Sequence, residues 1–99
     1  MGMPGIFPGR VVEVRDDRVV AEGRISEEVV HRMLERGMKD LTGAPTAVEA
    51  WRRFFEPRDV VAIKVNPSGT PGTTTQVELI REVIRGLLSA GVRARNIVV

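Results

Sequence analysis

Ninety-nine residues, of which 42% are hydrophobic and 28% are charged, suit one small globular domain. The chain contains no cysteine, which excludes disulfides and thiolate metal sites from it. It has no run of about 18 apolar residues, so no transmembrane helix and no membrane partner are expected. The formal net charge is only +2 and the few aromatic residues form no stacking platform, so nucleic acid is not an expected partner.

The first part of the chain predicts irregular and extended structure. Residues 1–9 are rich in glycine and proline, and they lack the basic leader and apolar core of a secretory signal peptide. Residues 10–15 alternate in part between apolar and polar side chains, which predicts a first strand. Asp16 and Asp17 indicate a turn, and residues 19–21 fit either a short strand or an extended loop.

A first helix is predicted over residues 26–42. Ser26 is a favourable N-cap, and Gly43 supplies the left-handed residue that commonly ends a helix. One apolar stripe at helical spacing is expected to be buried; it consists of Val30, Met33, Leu34, Met38 and Leu41.

A second, shorter helix is predicted over residues 47–55. Thr46 and Glu49 fit a capping box, in which each side chain bonds the other residue's free amide. The helix carries an aromatic face of Trp51, Phe54 and Phe55. Such a cluster is more typical of core packing than of a site where a ligand stacks.

The remaining residues predict a strand–helix–strand unit. Residues 59–65 form a nearly continuous β-branched run, which predicts a strand buried on both faces. A loop follows, and then a helix over 75–90 that begins with a second capping box at Thr75 and Glu78. Residues 96–99 begin another strand, and a connection of this kind makes the two strands parallel.

The predicted fold class is therefore α/β. We expect a partial three-layer sandwich whose parallel βαβ unit comprises strand 59–65, helix 75–90 and strand 96–99, preceded by a strand and two helices. Because parallel strands need neighbours and cover on both faces, we expect residues 10–99 to be the amino-terminal part of one domain that is truncated at its carboxyl end. A small complete domain with a short edge strand is the alternative.

Polar side chains gather at the predicted carboxyl end of strand 59–65. Lys64 and Asn66 end this strand, and Thr74 and Thr75 lie at the start of the helix that follows. Ligands of open α/β sheets bind outside the carboxyl ends of the strands, and the free amides of a helix N-terminus attract anions. We therefore predict that these four residues bind a phosphate- or carboxylate-bearing small molecule.

The same residues also have an ordinary structural interpretation. A lysine at a strand end often extends its amine to water, and asparagine and threonine are common in turns and caps. The loop is not a Walker A motif, because Lys64 precedes it, and Gly69 and Gly72 lack the spacing of a dinucleotide-binding turn. The sequence therefore assigns no catalytic residue, and enzymatic activity stays open.

A lone histidine, His31, does not indicate a metal site without further histidine or cysteine ligands, and no metal or cofactor is predicted for this chain. We expect His31 to pair with Glu27 or Glu35 on the helix surface. A run of charged residues on the last helix is interpreted as its solvated face; it consists of Glu78, Arg81, Glu82 and Arg85.

Five segments, taken in order, resemble the bacterial family catalogued as domain of unknown function 362; they are residues 4–14, 30–38, 50–55, 59–66 and 91–99. The resemblance implies the amino-terminal part of a longer α/β domain. It also implies that Ile63, Lys64 and Asn66 match a recurrent strand ending in Ile-Lys-x-Asn.

Members of that family differ in two features that bear on this chain. Some carry a twin-arginine leader, which leaves the compartment open between cytoplasm and periplasm. Others carry ferredoxin-like cysteine motifs, for which this cysteine-free chain has no ligands. The second functional hypothesis is therefore a structural or redox-partner module whose iron–sulfur or other cofactor lies outside this fragment. The oligomeric state is left open.

Overall fold

The structure is a computed structural model that describes residues 4–66 and 76–99. Over this part of the chain it is a mixed α/β arrangement of three α-helices, a two-stranded antiparallel sheet and a two-stranded parallel sheet. The helices are α1 (Glu27–Thr42), α2 (Ala47–Arg52) and α3 (Val77–Ser89). The strands are β1 (Val20–Ala21), β2 (Arg24–Ile25), β3 (Val61–Ala62) and β4 (Ile97–Val98).

The predicted parallel strand–helix–strand unit is confirmed. β3 and β4 run parallel, with Val61 opposite Ile97, and α3 lies between them in the chain. The amide of Ile63 donates to the carbonyl of Val98 at 2.7 Å, so the pairing continues one residue beyond β3. The strands are shorter than the predicted spans 59–65 and 96–99.

Burial along β3 differs from the prediction. Val61 and Ile63 pack against the core, whereas Val60 on the opposite side is 75% exposed and Lys64 is also exposed. The expectation of a strand buried on both faces is therefore wrong for the described residues. The helices cover only the face of the sheet that carries Val61 and Ile63.

The predicted strand at residues 10–15 is wrong as well, because these residues form no ladder with any described strand. Val12 and Val14 are half-buried while their neighbours are exposed, so the segment alternates as a strand would. It lies on α1 instead: Arg10 Nη1 donates to the Leu41 carbonyl at 2.8 Å, and Val14 lies against Gly37. The apolar side chains of this segment are thus covered by a helix rather than by a sheet.

The antiparallel pair is a β-hairpin with a two-residue turn. Ala21 pairs with Arg24, and the turn residues Glu22 and Gly23 have φ of 54° and 75°. Two positive φ values in succession match the twist of the flanking strands. The predicted turn at Asp16 and Asp17 is confirmed: Asp17–Val19 form a 3₁₀ turn, and the Asp16 side chain caps it.

Both early helices begin where their caps predict. The Ser26 hydroxyl accepts from the Val29 amide at 3.4 Å, and the Thr46 hydroxyl accepts from the Glu49 amide at 3.2 Å. Gly43 ends α1 with φ 74°. α2 ends at Arg52, three residues before the predicted end at 55, and the following residues form a turn.

The core lies between the helices and the covered face of the parallel sheet. Its most buried members are Trp51, Leu87, Ala90 and Val92. Trp51 packs directly on Gly86, which has no side chain to hold the indole ring away. The core-packing interpretation of the aromatic cluster is confirmed, since Trp51 is only 7% exposed and stacks on Phe55.

Candidate functional site

The predicted ligand residues fall partly within the described chain. Lys64 and Asn66 are both exposed, on the side of the extended segment that the helices do not cover. Thr74 and Thr75 lie outside the described residues, as does most of the predicted loop at 66–74. α3 begins at Val77 with Gln76 at its N-cap. The predicted capping box starts at Thr75, which lies outside the described residues.

Lys64 is exposed on the extended segment that follows β3. Arginines dominate the ion pairs among residues 4–66 and 76–99, and Lys64 takes part in none of these pairs. Lys64 follows Ile63, the last residue of the segment that pairs with β4, and so lies at the carboxyl end of the parallel pair. A compact, exposed positive charge is therefore present where ligands of parallel sheets bind.

A second group of charged residues joins α1 to α3 and was not predicted. Nδ1 of His31 lies 2.6 Å from Oε1 of Glu82, and Nη1 of Arg85 donates to Oε2 of Glu82 at 2.7 Å. The Glu82 side chain is 1% exposed. Its interpretation as part of a solvated face is therefore wrong: this carboxylate is buried and paired through both of its oxygens.

The other ring nitrogen of His31 faces the expected partner on its own helix. Nε2 lies 3.3 Å from Oε2 of Glu35, so the predicted pair at this spacing is confirmed. Glu27, the other expected partner, pairs instead with Arg81 and Arg85 on α3, at 3.2 and 3.3 Å. The contacts of Glu27 with Arg81 and Arg85, like that of His31 with Glu82, connect α1 with α3.

One signal in the sequence could have indicated the burial of Glu82. Gly86 lies one turn further along α3 on the same face, and a glycine inside a helix often marks a close approach by another element. Trp51 makes that approach at Gly86, and Glu82, one turn earlier on α3, is buried. A small cavity of about 110 Å³ remains beside the pair, lined in part by His31, Trp51 and Glu82.

The sequence matches no protein-family model, and neither a curated protein nor a solved structure is significantly similar to it.

The described residues were compared with the requirements of a metal site and of a membrane-spanning helix. Within residues 4–66 and 76–99, no three side chains of the metal-binding types come together as a cation site would require. None of the helices in the described part of the chain combines the length and hydrophobicity needed to cross a lipid bilayer.

Proposed function

We propose that this chain is a small-molecule-binding domain of the domain of unknown function 362 type, and that its ligand carries a phosphate or carboxylate. Lys64 and Asn66 contact the ligand, and Thr74 and Thr75 donate to its negative group. The observation that carries the proposal is the exposed Lys64 at the carboxyl end of a strand in a parallel strand–helix–strand unit.

The chemistry of the residues supports an anion. The ammonium group of Lys64 makes charge-assisted hydrogen bonds that are about twice as strong as neutral ones. The chain has only two lysines among its 15 basic residues, Lys39 and Lys64, so its composition does not by itself explain a lysine here. The amide nitrogen of Asn66 adds neutral donors on the same side of the chain.

The proposal includes the arrangement of layers around the parallel sheet. We propose that the sheet forms part of a three-layer sandwich, with a second layer on the face that α1, α2 and α3 leave uncovered. Val60 and Val98 support this, since they are 75% and 59% exposed on a sheet whose parallel strands are usually covered on both faces.

The test compares the two lysines of the chain. Calorimetric titration with inorganic pyrophosphate is carried out on the 99-residue protein, on Lys64→Ala and on Lys39→Ala. We expect Lys64→Ala to weaken binding about tenfold or more, because a hydrogen bond to a charged group contributes about 1.5–3 kcal/mol. Lys39→Ala is the matched control and should bind as the unaltered protein does. Equal affinity of all three proteins, or no binding by any, overturns the proposal.

A further inference from the structure

An apolar groove of about 720 Å³ runs along α1, and Lys64 is not among the residues that line it. Val30, Met33 and Leu41 of the apolar helix stripe line it, together with Val14 of the extended segment that packs on α1. The hairpin contributes Val20 to the lining. Small-molecule sites typically have volumes of about 300–1,000 Å³, so this groove is of suitable size for an organic ligand.

The groove leaves aliphatic surface open to solvent. Val20 is 58% exposed and Leu79, at its α3 side, is 41% exposed. Leu34 and Met38 line the groove and also pack against the core around Trp51, so the apolar stripe of α1 contributes to both surfaces. Contiguous apolar surface of this kind is typical of a binding site.

Arg10 decides which ligand the groove suits, because it is the one charged side chain among the described residues that line it. Its Nη1 donates to the Leu41 carbonyl at 2.8 Å, and its guanidinium carbon lies 4.9 Å from the centre of the Phe7 ring. No carboxylate pairs with it within residues 4–66 and 76–99. A guanidinium has five N–H donors, so several stay available to an anion.

The groove is elongated, and its charge lies at one end. Val30 and Leu41 are eleven residues apart on α1, which corresponds to about 16 Å at 1.5 Å per residue. Arg10 lies at the Leu41 end. We propose that the groove binds a linear amphipathic monoanion such as a medium-chain carboxylate, with its alkyl chain along α1 and its head group on Arg10. This site is separate from the one proposed at Lys64.

The test uses ligands of equal chain length and opposite charge. The 99-residue protein is titrated with decanoate and with decyltrimethylammonium, each below its micelle-forming concentration, and binding is followed by amide chemical shifts. We expect decanoate to bind at least tenfold more tightly and to shift the amides of Val14, Met33 and Leu41. This comparison needs no altered protein. Equal affinity for the two ligands, or shifts located elsewhere, overturns the proposal.

Two variants and a control sharpen the result. Arg10→Gln should lower decanoate affinity about tenfold and leave the cationic ligand unaffected, whereas Met33→Gln should weaken both ligands. Arg93→Gln, an exposed arginine that does not line the groove, is the control and should change neither. Light scattering is run in parallel: a dimer that Met33→Gln dissociates would mean that a second copy of the chain occupies the groove, which also overturns the proposal.

Discussion

His31 on α1 and Glu82 on α3 are joined by a contact of 2.6 Å between Nδ1 of the imidazole and Oε1 of the carboxylate. The two residues are 51 positions apart in the sequence. Glu82 is buried, and an ionised carboxylate in the interior is tolerated only when it is paired and hydrogen-bonded. This contact therefore specifies how the first long helix packs on the last.

Replacing His31 by alanine should destabilise the protein. The substitution removes one of the two side chains that bond the buried Glu82 carboxylate, and a hydrogen bond to a charged group contributes about 1.5–3 kcal/mol. Urea denaturation should show a loss of free energy of unfolding in that range. In a double-mutant cycle, His31→Ala and Glu82→Gln should be strongly coupled.

Glu35→Gln is the matched control for that experiment. Its carboxylate contacts the other ring nitrogen of His31 at 3.3 Å, but its side chain is 43% exposed. Because exposed pairs contribute about 0–1 kcal/mol, this substitution should have little effect. A loss at Glu35 as large as that at His31 would show that burial of the partner carboxylate does not determine the stability of the pair.

The two helical glycines should respond in opposite directions to alanine. A Cβ at Gly86 would overlap the indole ring of Trp51, whereas a Cβ at Gly37 would lie 3.4 Å from Val14 Cγ2, an ordinary contact. We expect Gly86→Ala to destabilise the protein by about 1–3 kcal/mol, as overpacking of a core does. Gly37→Ala should be neutral or stabilise by up to about 1 kcal/mol, since alanine favours helix.

Thermal and urea unfolding of both variants check this expectation. Fluorescence of Trp51, the single tryptophan of the chain, reports whether the indole moves in Gly86→Ala. Equal stability of the two variants would contradict the packing of Trp51 on Gly86.

The Asp16 carboxyl should titrate at unusually low pH. Hydrogen bonds from the Arg18 side chain, and then from the Arg18 amide, lower the pKa of Asp16 from 3.8 to about 2. Because the folded-state pKa is the lower one, this interaction stabilises the fold above pH 3.8, and its contribution is lost as the pH falls towards about 2.

Carboxyl ¹³C chemical shifts followed between acid and neutral pH measure this pKa directly. Arg18→Gln should raise the midpoint of Asp16 partway to its ordinary value, since the backbone amide of residue 18 still donates. Arg15→Gln is the control, because Arg15 pairs with Glu13 and not with Asp16. An Asp16 midpoint that does not respond to Arg18→Gln would exclude the side-chain hydrogen bonds as the cause.

Local signals in the sequence predicted the parts of the fold that depend on neighbouring residues. Ser26 and Gly43 determine where α1 begins and ends, and Thr46 begins α2, because caps act within a few residues. The parallel pairing of β3 with β4 also followed from the order of elements. These features needed no knowledge of distant contacts.

Features that depend on distant contacts were not predicted correctly. Alternation at residues 10–15 indicated a strand, but an extended segment that packs on a helix alternates in the same way. Glu22 and Gly23 form a hairpin turn without the usual Asn-Gly pair, and neither this turn nor β2 was predicted. Glu82 was assigned to the solvated face of the last helix because helical periodicity does not distinguish a buried, paired charge from an exposed one.

The candidate ligand site also depends on distant contacts that the sequence does not reveal. The sequence places Lys64 and Asn66 at a strand end, and the structure describes both as exposed. Ligand binding depends further on groups that other elements bring to that edge. The role of these residues, together with that of Thr74 and Thr75, therefore stays a prediction that binding experiments must test.

The most direct measurement is an amide ¹H–¹⁵N chemical-shift titration of the 99-residue protein with inorganic pyrophosphate. Saturable shifts centred on Lys64, Asn66 and the first turn of α3 at Val77 are the expected result, and Lys64→Ala should need about tenfold more pyrophosphate, or still more, to reach them. Shifts that are absent, or that follow other basic residues and persist in Lys64→Ala, would contradict an anion site at the end of β3.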